Sequence, residues 1–282
     1  MTIGVFTLVL IAALCHAIWN TIIKLSPDKS LETSLMNLSG SLIAIPAVLY
    51  FGIPESEVWI FLLGSLILHI AYYYSLSGAY QWGDMSLTYP IMRGMAPFFL
   101  LLITSIFAFE PLLLSSIIGV CLLCSGIVFL GIDSARVLNH KKAILFALLN
   151  ALVIALYTIV DGLGVRASHD VFAYIAMFIF IDGIIYSSFV IYRRQKSSQH
   201  LKQYMINRWP YFSLGAIATT GSYGIALWAM SEAPISLVSA LREVSVLFAV
   251  FIAWLYLKEK LSKQRIAGVV LVLLGSFFIK AM

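Results

Sequence analysis

The chain has 282 residues, 61% of them apolar and 11% charged, against about 45–50% apolar and 25% charged in an ordinary soluble domain. A water-soluble globule is excluded, because only a bilayer accepts so large an apolar surplus on a protein's outside. The net charge of +5 comes from short Lys/Arg clusters between apolar runs rather than from one basic face, which fits a topogenic role and argues against nucleic acid as a partner.

In chain order, apolar runs of spanning length fall at 3–23, 31–53, 58–80, 86–108, 111–132, 143–162, 171–192, 209–231, 235–257 and 264–281. Each is close to the roughly 20 residues that cross about 30 Å as a helix, and none alternates as a lipid-facing barrel strand does. An all-α integral membrane protein with ten transmembrane helices is expected. The first run has no Lys or Arg before it and is too long for a signal sequence, so it is expected to remain as a span. Cys15, Cys121 and Cys124 all fall inside apolar runs, which makes them packing residues rather than disulfide partners or zinc ligands. The longest polar stretch runs from Arg193 to Arg208, and a smaller one from Asp133 to Lys142 separates the two halves.

Sliding the sequence on itself by 149 residues reveals an internal repeat. Over the 37 ungapped positions from Arg93 to Phe129, eleven are identical to the residue 149 further on. Arg93 falls on Arg242, Glu110 on Glu259, Gly119 on Gly268 and Gly126 on Gly275, and Tyr74 with Tyr223 extends the register upstream. Five spans per copy is an odd number, so the second copy enters the membrane upside down. The expectation is two inverted five-helix repeats, residues 1–135 and 136–282, the architecture of many secondary transporters.

Connections after the odd-numbered spans carry fourteen Lys and Arg residues, and the other side carries only Arg166 and Lys280. The positive-inside rule then makes the odd connections cytoplasmic and puts both termini outside a cell (inner) membrane.

Ionisable groups inside hydrocarbon are costly, about 3 kcal/mol each on insertion scales, and mark function by default. Arg93 sits about 10 Å into its span at 1.5 Å per residue, and Arg242 takes the inverted position. His16, Trp19 and Asn20 share one face of the first span, and Asn150, Tyr157 and Asp161 share one face of the sixth. Asp182 lies in the middle of the seventh, while Glu243 follows Arg242 but points about 100° away. Tyr74, Tyr89, Tyr223 and Trp228 are dense enough nearby to line a pathway for a substrate with a flat or apolar portion. His16, Asp161, Asp182 and Glu243 are the candidates for proton transfer or gating. Each group also has a plain packing role open to it, as a core histidine or a buried ion pair. Pro90 and Pro97 loosen the fourth span, the Gly119/Gly126 and Gly268/Gly275 pairs suit close helix packing, and Glu110 and Glu259 read as helix ends at the interface.

From Tyr223 to Phe278, with Ala-Pro at 233–234, Leu-Lys-Glu-Lys-Leu at 257–261 and Ile-Ala-Gly-Val-Val-Leu-Val-Leu-Leu-Gly at 266–275, the chain resembles the second repeat of EamA-type members of the drug/metabolite transporter superfamily. Tyr74 to Gly131 resembles the first. The resemblance implies ten helices in two inverted repeats around a central cavity and movement of metabolites such as amino acids, often outward. Many relatives carry cytoplasmic termini with basic tails, from which Ile279-Lys280-Ala281-Met282 departs.

The function expected is therefore secondary transport of a small polar or amphiphilic metabolite by alternating access, driven by a proton or by the substrate gradient, with no cofactor and no metal. A lipid-linked substrate flippase on the same fold is the alternative. An intramembrane enzyme fits less well, since no HExxH, GxSxG or paired aspartates occur, and without a Walker motif ATP-driven pumping has no support.

Overall fold

The computed structural model of the protein describes residues 1–83, 85–107, 110, 113–131, 141–193, 198–257 and 263–280. Those residues form helices joined by short connections, with no strand among them. Helix α1 (Ile3–Lys24) starts at Thr2, whose side chain accepts from Val5 N, and α2 (Lys29–Phe51) starts at Asp28, which accepts from Leu31 N. Such caps satisfy amide groups that a helix start leaves unpaired. Gly52 ends α2 at φ 81°, a left-handed conformation open to glycine. A 3₁₀ turn (Ser56–Val58) leads into α3 (Trp59–Trp82), followed by α4 (Met85–Ile106) and α5 (Leu114–Gly131). The second half contributes α6 (Lys141–Ala167), α7 (Val171–Arg193), α8 (Ser198–Glu232), α9 (Ile235–Arg242), α10 (Ser245–Leu257) and α11 (Lys263–Lys280).

Seven of these segments are long and apolar enough to cross a membrane, counting Ile235–Ile252 across α9 and α10 as one, while Leu114–Leu130 and Ile266–Ile279 are apolar but shorter. The expected run 209–231 lies inside α8, a 35-residue helix whose first turns are polar. Large apolar side chains stand exposed around the bundle, Leu49, Tyr50, Ile53 and Ile60 among them. Surfaces of that kind require lipid, and the chain is a multi-pass membrane protein.

One expected span is not continuous. Between α9 and α10 the backbone bonds run three residues back, from Glu243 N to Ala240 O, Val244 N to Leu241 O, Val246 N to Glu243 O and Leu247 N to Val244 O. That is a 3₁₀ tightening in mid-span, a feature that often marks a hinge. It involves neither Pro nor Gly. Helix α4, by contrast, runs through both Pro90 and Pro97.

Helix α1 packs on α8, α2 on α7, α3 and α4 on α6, and α5 on α11. The α5/α11 contact is set by glycine: a Cβ on Gly119 would lie 2.9 Å from the Gly275 carbonyl oxygen, and one on Gly126 would lie 2.8 Å from that of Gly268. The α2/α7 contact is stitched by hydroxyls, Ser41 donating to the Phe180 carbonyl at 2.9 Å and Ser187 to that of Ser34 at 2.7 Å.

Alternate connections gather at opposite ends of the bundle. At one end Ser26, between α1 and α2, meets Tyr204 of α8 at 2.6 Å, Lys142 of α6 lies over the Trp82 ring at the end of α3, and Gln264 of α11 bonds Phe129 of α5. This is the basic end. At the other, Glu110, Arg166, Ala233 and Ile235 come together from three different connections.

Candidate functional site

Inside the bundle lies a cavity of about 650 Å³. Its rim is made by Lys29, Ser30, Thr33, Tyr80 and Gly83, all close to connections at the basic end. Its depth is reached at His69, Phe178, Tyr223 and Arg242 in mid-bundle, and no connection of the far end contributes to its wall. Among the described residues, the connections its lining reaches are those of the basic end.

Of the residues singled out by sequence, His16, Trp19, Asn20, Tyr89 and Arg93 from the first half and Asn150, Tyr157, Tyr223 and Arg242 from the second line this cavity, together with Asp182. The one-face spacings in the first and sixth spans bring those side chains inward. His16 packs edge-on against Trp19 with ring centroids 4.8 Å apart. Asn150 donates to the Tyr72 carbonyl at 3.0 Å and to Ser75 Oγ at 2.9 Å, fastening α6 to α3. Asp161 is fully buried behind the wall, where the Tyr223 hydroxyl donates to it at 2.5 Å. Two residues lie elsewhere. Tyr74 is 75% exposed on the outside of the bundle, one and two residues on from the inward-facing Tyr73 and Tyr72, and Trp228 lines a separate apolar crevice.

The two arginines differ in their surroundings. Arg93 Nε lies 2.8 Å from Glu243 Oε2, a contact between the two halves, with side chains 12% and 5% exposed. The pair is a close charge contact rather than an aligned hydrogen bond, since neither atom has a hydrogen-bond partner. Glu243 sits in the 3₁₀ turn directly after Arg242. Arg242 has no carboxylate within ion-pairing distance among the described residues. Its guanidinium carbon stands 5.6 Å from the centre of the Tyr223 ring, and its Nε is buried without a hydrogen-bond partner.

Aromatic rings close the deep end. His69 stacks obliquely on Tyr157 at 4.4 Å and approaches Phe178 at 5.3 Å, Phe178 stacks on Tyr223 at 5.3 Å, and Tyr73 stacks on Tyr186 at 4.3 Å. His69 Nδ1 lies 2.9 Å from the Ser65 carbonyl oxygen. A carbonyl only accepts, so that nitrogen carries the proton and Nε2 is an acceptor when the ring is neutral. Sequence reasoning missed His69. The signal present was a second intramembrane histidine, three residues before a Tyr-Tyr-Tyr run.

At the far end the bundle is shut by a charged knot. Glu110 accepts from Arg166 Nη2 at 2.7 Å and from the Ile235 and Ser236 amides at 2.6 and 3.3 Å, and Ser236 Oγ adds a fourth bond at 3.1 Å. Arg166 also donates to the Met230 and Ala233 carbonyls, each at 2.8 Å. A carboxylate on the first amides of α9 meets both the unpaired donors and the positive end of the helix dipole. Glu110 is therefore more than the interfacial helix end expected of it; Glu259, its repeat partner, lies outside the described residues. At the basic end Glu32 plays a comparable part, accepting from Tyr204 at 2.5 Å, Arg208 at 3.0 Å and Ser26 at 3.2 Å. Tyr204 precedes the apolar part of α8. Burial, reinforced by the Glu32 contact, pushes its hydroxyl up to about 12, so it stays protonated and donates.

A profile of the EamA-like transporter family matches residues 141–281, half of the chain. The chain belongs to the EamA-like transporter family. The matched segment holds Asn150, Tyr157, Asp161, Asp182, Tyr223, Arg242 and Glu243, so the second-half wall of the cavity is an EamA-like one. The fold of this EamA-like protein is also that of a solved structure described as "Crystal structure of protein", with a TM-score of 0.74 and 14% identity, covering 100% of this chain and 98% of that one. No curated protein matches the EamA-like chain. Among its described residues no three His, Cys, Asp or Glu side chains are grouped to hold a metal ion.

Proposed function

We propose that the protein is a secondary transporter of small polar or amphiphilic metabolites with an anionic group, amino acids and related compounds among them, and that it works by alternating access. The observation that carries this reading is Arg242, a buried guanidinium with an unpartnered Nε, on the wall of a cavity open at one end and knotted shut at the other. A substrate carboxylate at Arg242 gives that nitrogen the partner it lacks, and charge-assisted bonds of this kind are the strong ones. Asp182 on the same wall offers a counter-charge for a substrate amine, and Trp19, Asn20 and Tyr157 shape the space between.

In this reading residues 1–135 and 136–282 are two inverted five-helix units. The Gly119–Gly275 and Gly126–Gly268 approaches support it, because a 149-residue inverted repeat requires that antiparallel pairing. Switching breaks the Glu110–Arg166 knot and flexes the 3₁₀ turn beside Glu243, while Arg93 exchanges Glu243 for substrate or for another partner. His16, Asp161, Asp182 and Glu243 are the groups able to carry a coupling proton. The Lys/Arg bias makes the basic end cytoplasmic, the termini external, and the present cavity a loading state for export from a cell (inner) membrane.

The test is uptake and efflux in proteoliposomes with a panel of amino acids and other carboxylates, with and without a pH gradient. Transport of at least one compound, reduced tenfold or more by Arg242→Ala and partly kept by Arg242→Lys, supports the reading. Equal rates in the wild type and Arg242→Ala for every transported compound overturn the role of Arg242, and a panel that never moves overturns transport of this class.

A further inference from the structure

A second cavity, of about 430 Å³, lies beside the first, between α1, α2, α7 and α8. Its wall is apolar, with Ile43, Ala47, Phe172, Ile175 and Ile225 prominent, and apart from the Trp228 indole its only polar side chain is that of Thr220. Ile43 and Phe172 are 45% and 50% exposed, on a surface that faces lipid. The Phe51 and Phe172 rings stack at 5.4 Å where α2 ends and α7 begins, so the crevice runs from mid-bundle toward the shut end and is open sideways.

The crevice and the central cavity share two wall residues, Ile179 and Thr220. The partition is thin. Gly40 of α2 faces it, and a Cβ there would lie 3.0 Å from Thr220 Oγ1 and 4.0 Å from Ile179 Cγ2. Thr220 Oγ1 is buried without a hydrogen-bond partner, which is unusual because an unmet buried hydroxyl destabilises and is normally paired. A polar, partly lined anion cavity is thus separated from an apolar, lipid-facing slot by one unsatisfied hydroxyl and one isoleucine.

We infer that the crevice takes the hydrocarbon chain of a single-tailed amphiphilic substrate whose anionic head lies in the central cavity at Arg242, with Thr220 bonding the polar group that joins head to tail. This rests on the transport reading above and narrows its substrate class. The chain gains little affinity by leaving one apolar medium for another. Its effect is positional: it keeps the tail in an apolar slot while the head lies in the cavity, and entry from the membrane requires the thin Ile179–Thr220 partition to part.

The full-length protein in liposomes is photolabelled with N-dodecanoylglycine carrying a terminal diazirine, and with phosphatidylcholine carrying the same group on one acyl chain. Labelled residues are read by mass spectrometry. The expected result is that the dodecanoylglycine probe labels 172–179 and 224–228, falling tenfold or more with excess N-dodecanoylglycine and in Arg242→Ala, while the phosphatidylcholine probe does not select these segments. Gly224→Leu provides the second arm. A Cβ there meets only Ile175 Cγ2, at an ordinary contact distance of 3.5 Å, and Gly224 lines the crevice, so the larger side chain is placed to fill it. It should cut crevice labelling tenfold or more and leave uptake of tail-less N-acetylglycine as it was.

Labelling by both probes alike, insensitive to competitor and to Arg242→Ala, would mean that ordinary bilayer lipid fills the slot and overturns the inference. Uptake of N-acetylglycine with no crevice labelling overturns the inference alone. Head-dependent crevice labelling with no compound transported instead leaves the binding site standing and removes the transport reading.

Discussion

The contact between Arg93 and Glu243 joins the two halves of the chain at mid-membrane, and its removal is the sharpest probe of how they hold each other. Glu243→Gln leaves the Arg93 guanidinium 12% exposed and without its carboxylate. Stranding one member of a buried pair costs about 3–5 kcal/mol, and the lower figure applies here because the contact is misaligned and borders an open cavity. Arg93→Met strands Glu243 in turn and should cost a similar amount, about 3 kcal/mol. Combining the two neutralises the site and should restore much of the loss, giving a coupling of about 1–3 kcal/mol. Unfolding by SDS titration in mixed micelles, followed by tryptophan fluorescence, measures all four corners of the cycle. Free energies additive within about 0.5 kcal/mol would show that the 2.8 Å contact carries no mutual stabilisation and that Glu243 does not hold Arg93.

Glu110→Ala removes the acceptor of four hydrogen bonds and should destabilise the far end by about 3 kcal/mol; a cysteine at Ser236, in a background freed of the native cysteines, should then react with an impermeant thiol reagent tenfold faster or more. Gly126→Val drives side-chain atoms into the Gly268 carbonyl, approached at 2.8 Å by a Cβ alone, and should lower thermal stability by about 1–3 kcal/mol or more, with Gly119→Val behaving alike. Tyr204→Phe deletes a 2.5 Å bond to Glu32 and should cost about 1–3 kcal/mol without altering transport rates at saturating substrate.

Hydropathy located most membrane-crossing segments because lipid imposes its requirement locally, about 20 residues at a time. The helix-face arguments were equally local, and they brought His16, Trp19, Asn20, Asn150 and Tyr157 to one cavity wall. Tyr74 went astray because adjacent residues of a Tyr-Tyr-Tyr run differ by 100°, and composition does not say which of them turns inward. Partners across the bundle were out of reach for another reason. The carboxylate opposite Arg93 is 150 positions away, and only tertiary packing presents it. Glu110 looked like a solvated helix end until the loops holding Arg166 and Ile235 closed over it. The tightened turn at Glu243 left no mark in sequence, since neither glycine nor proline is needed for a few bonds to shorten from four residues to three.

Helix α8 has 35 residues, about 52 Å at the helical rise, and the hydrocarbon it crosses is only about 30 Å thick. The surplus rod does not stand free: Tyr204 and Arg208 tie it to Glu32 at the start of α2, and further along the same helix Thr219, Thr220 and Tyr223 line the cavity. A rocking of about 10° in the buried part would carry those outer turns several ångströms, and the start of α2 with them. An antibody fragment or spin label on that rod would report, from outside the bilayer, whether the proposed alternating-access rearrangement takes place.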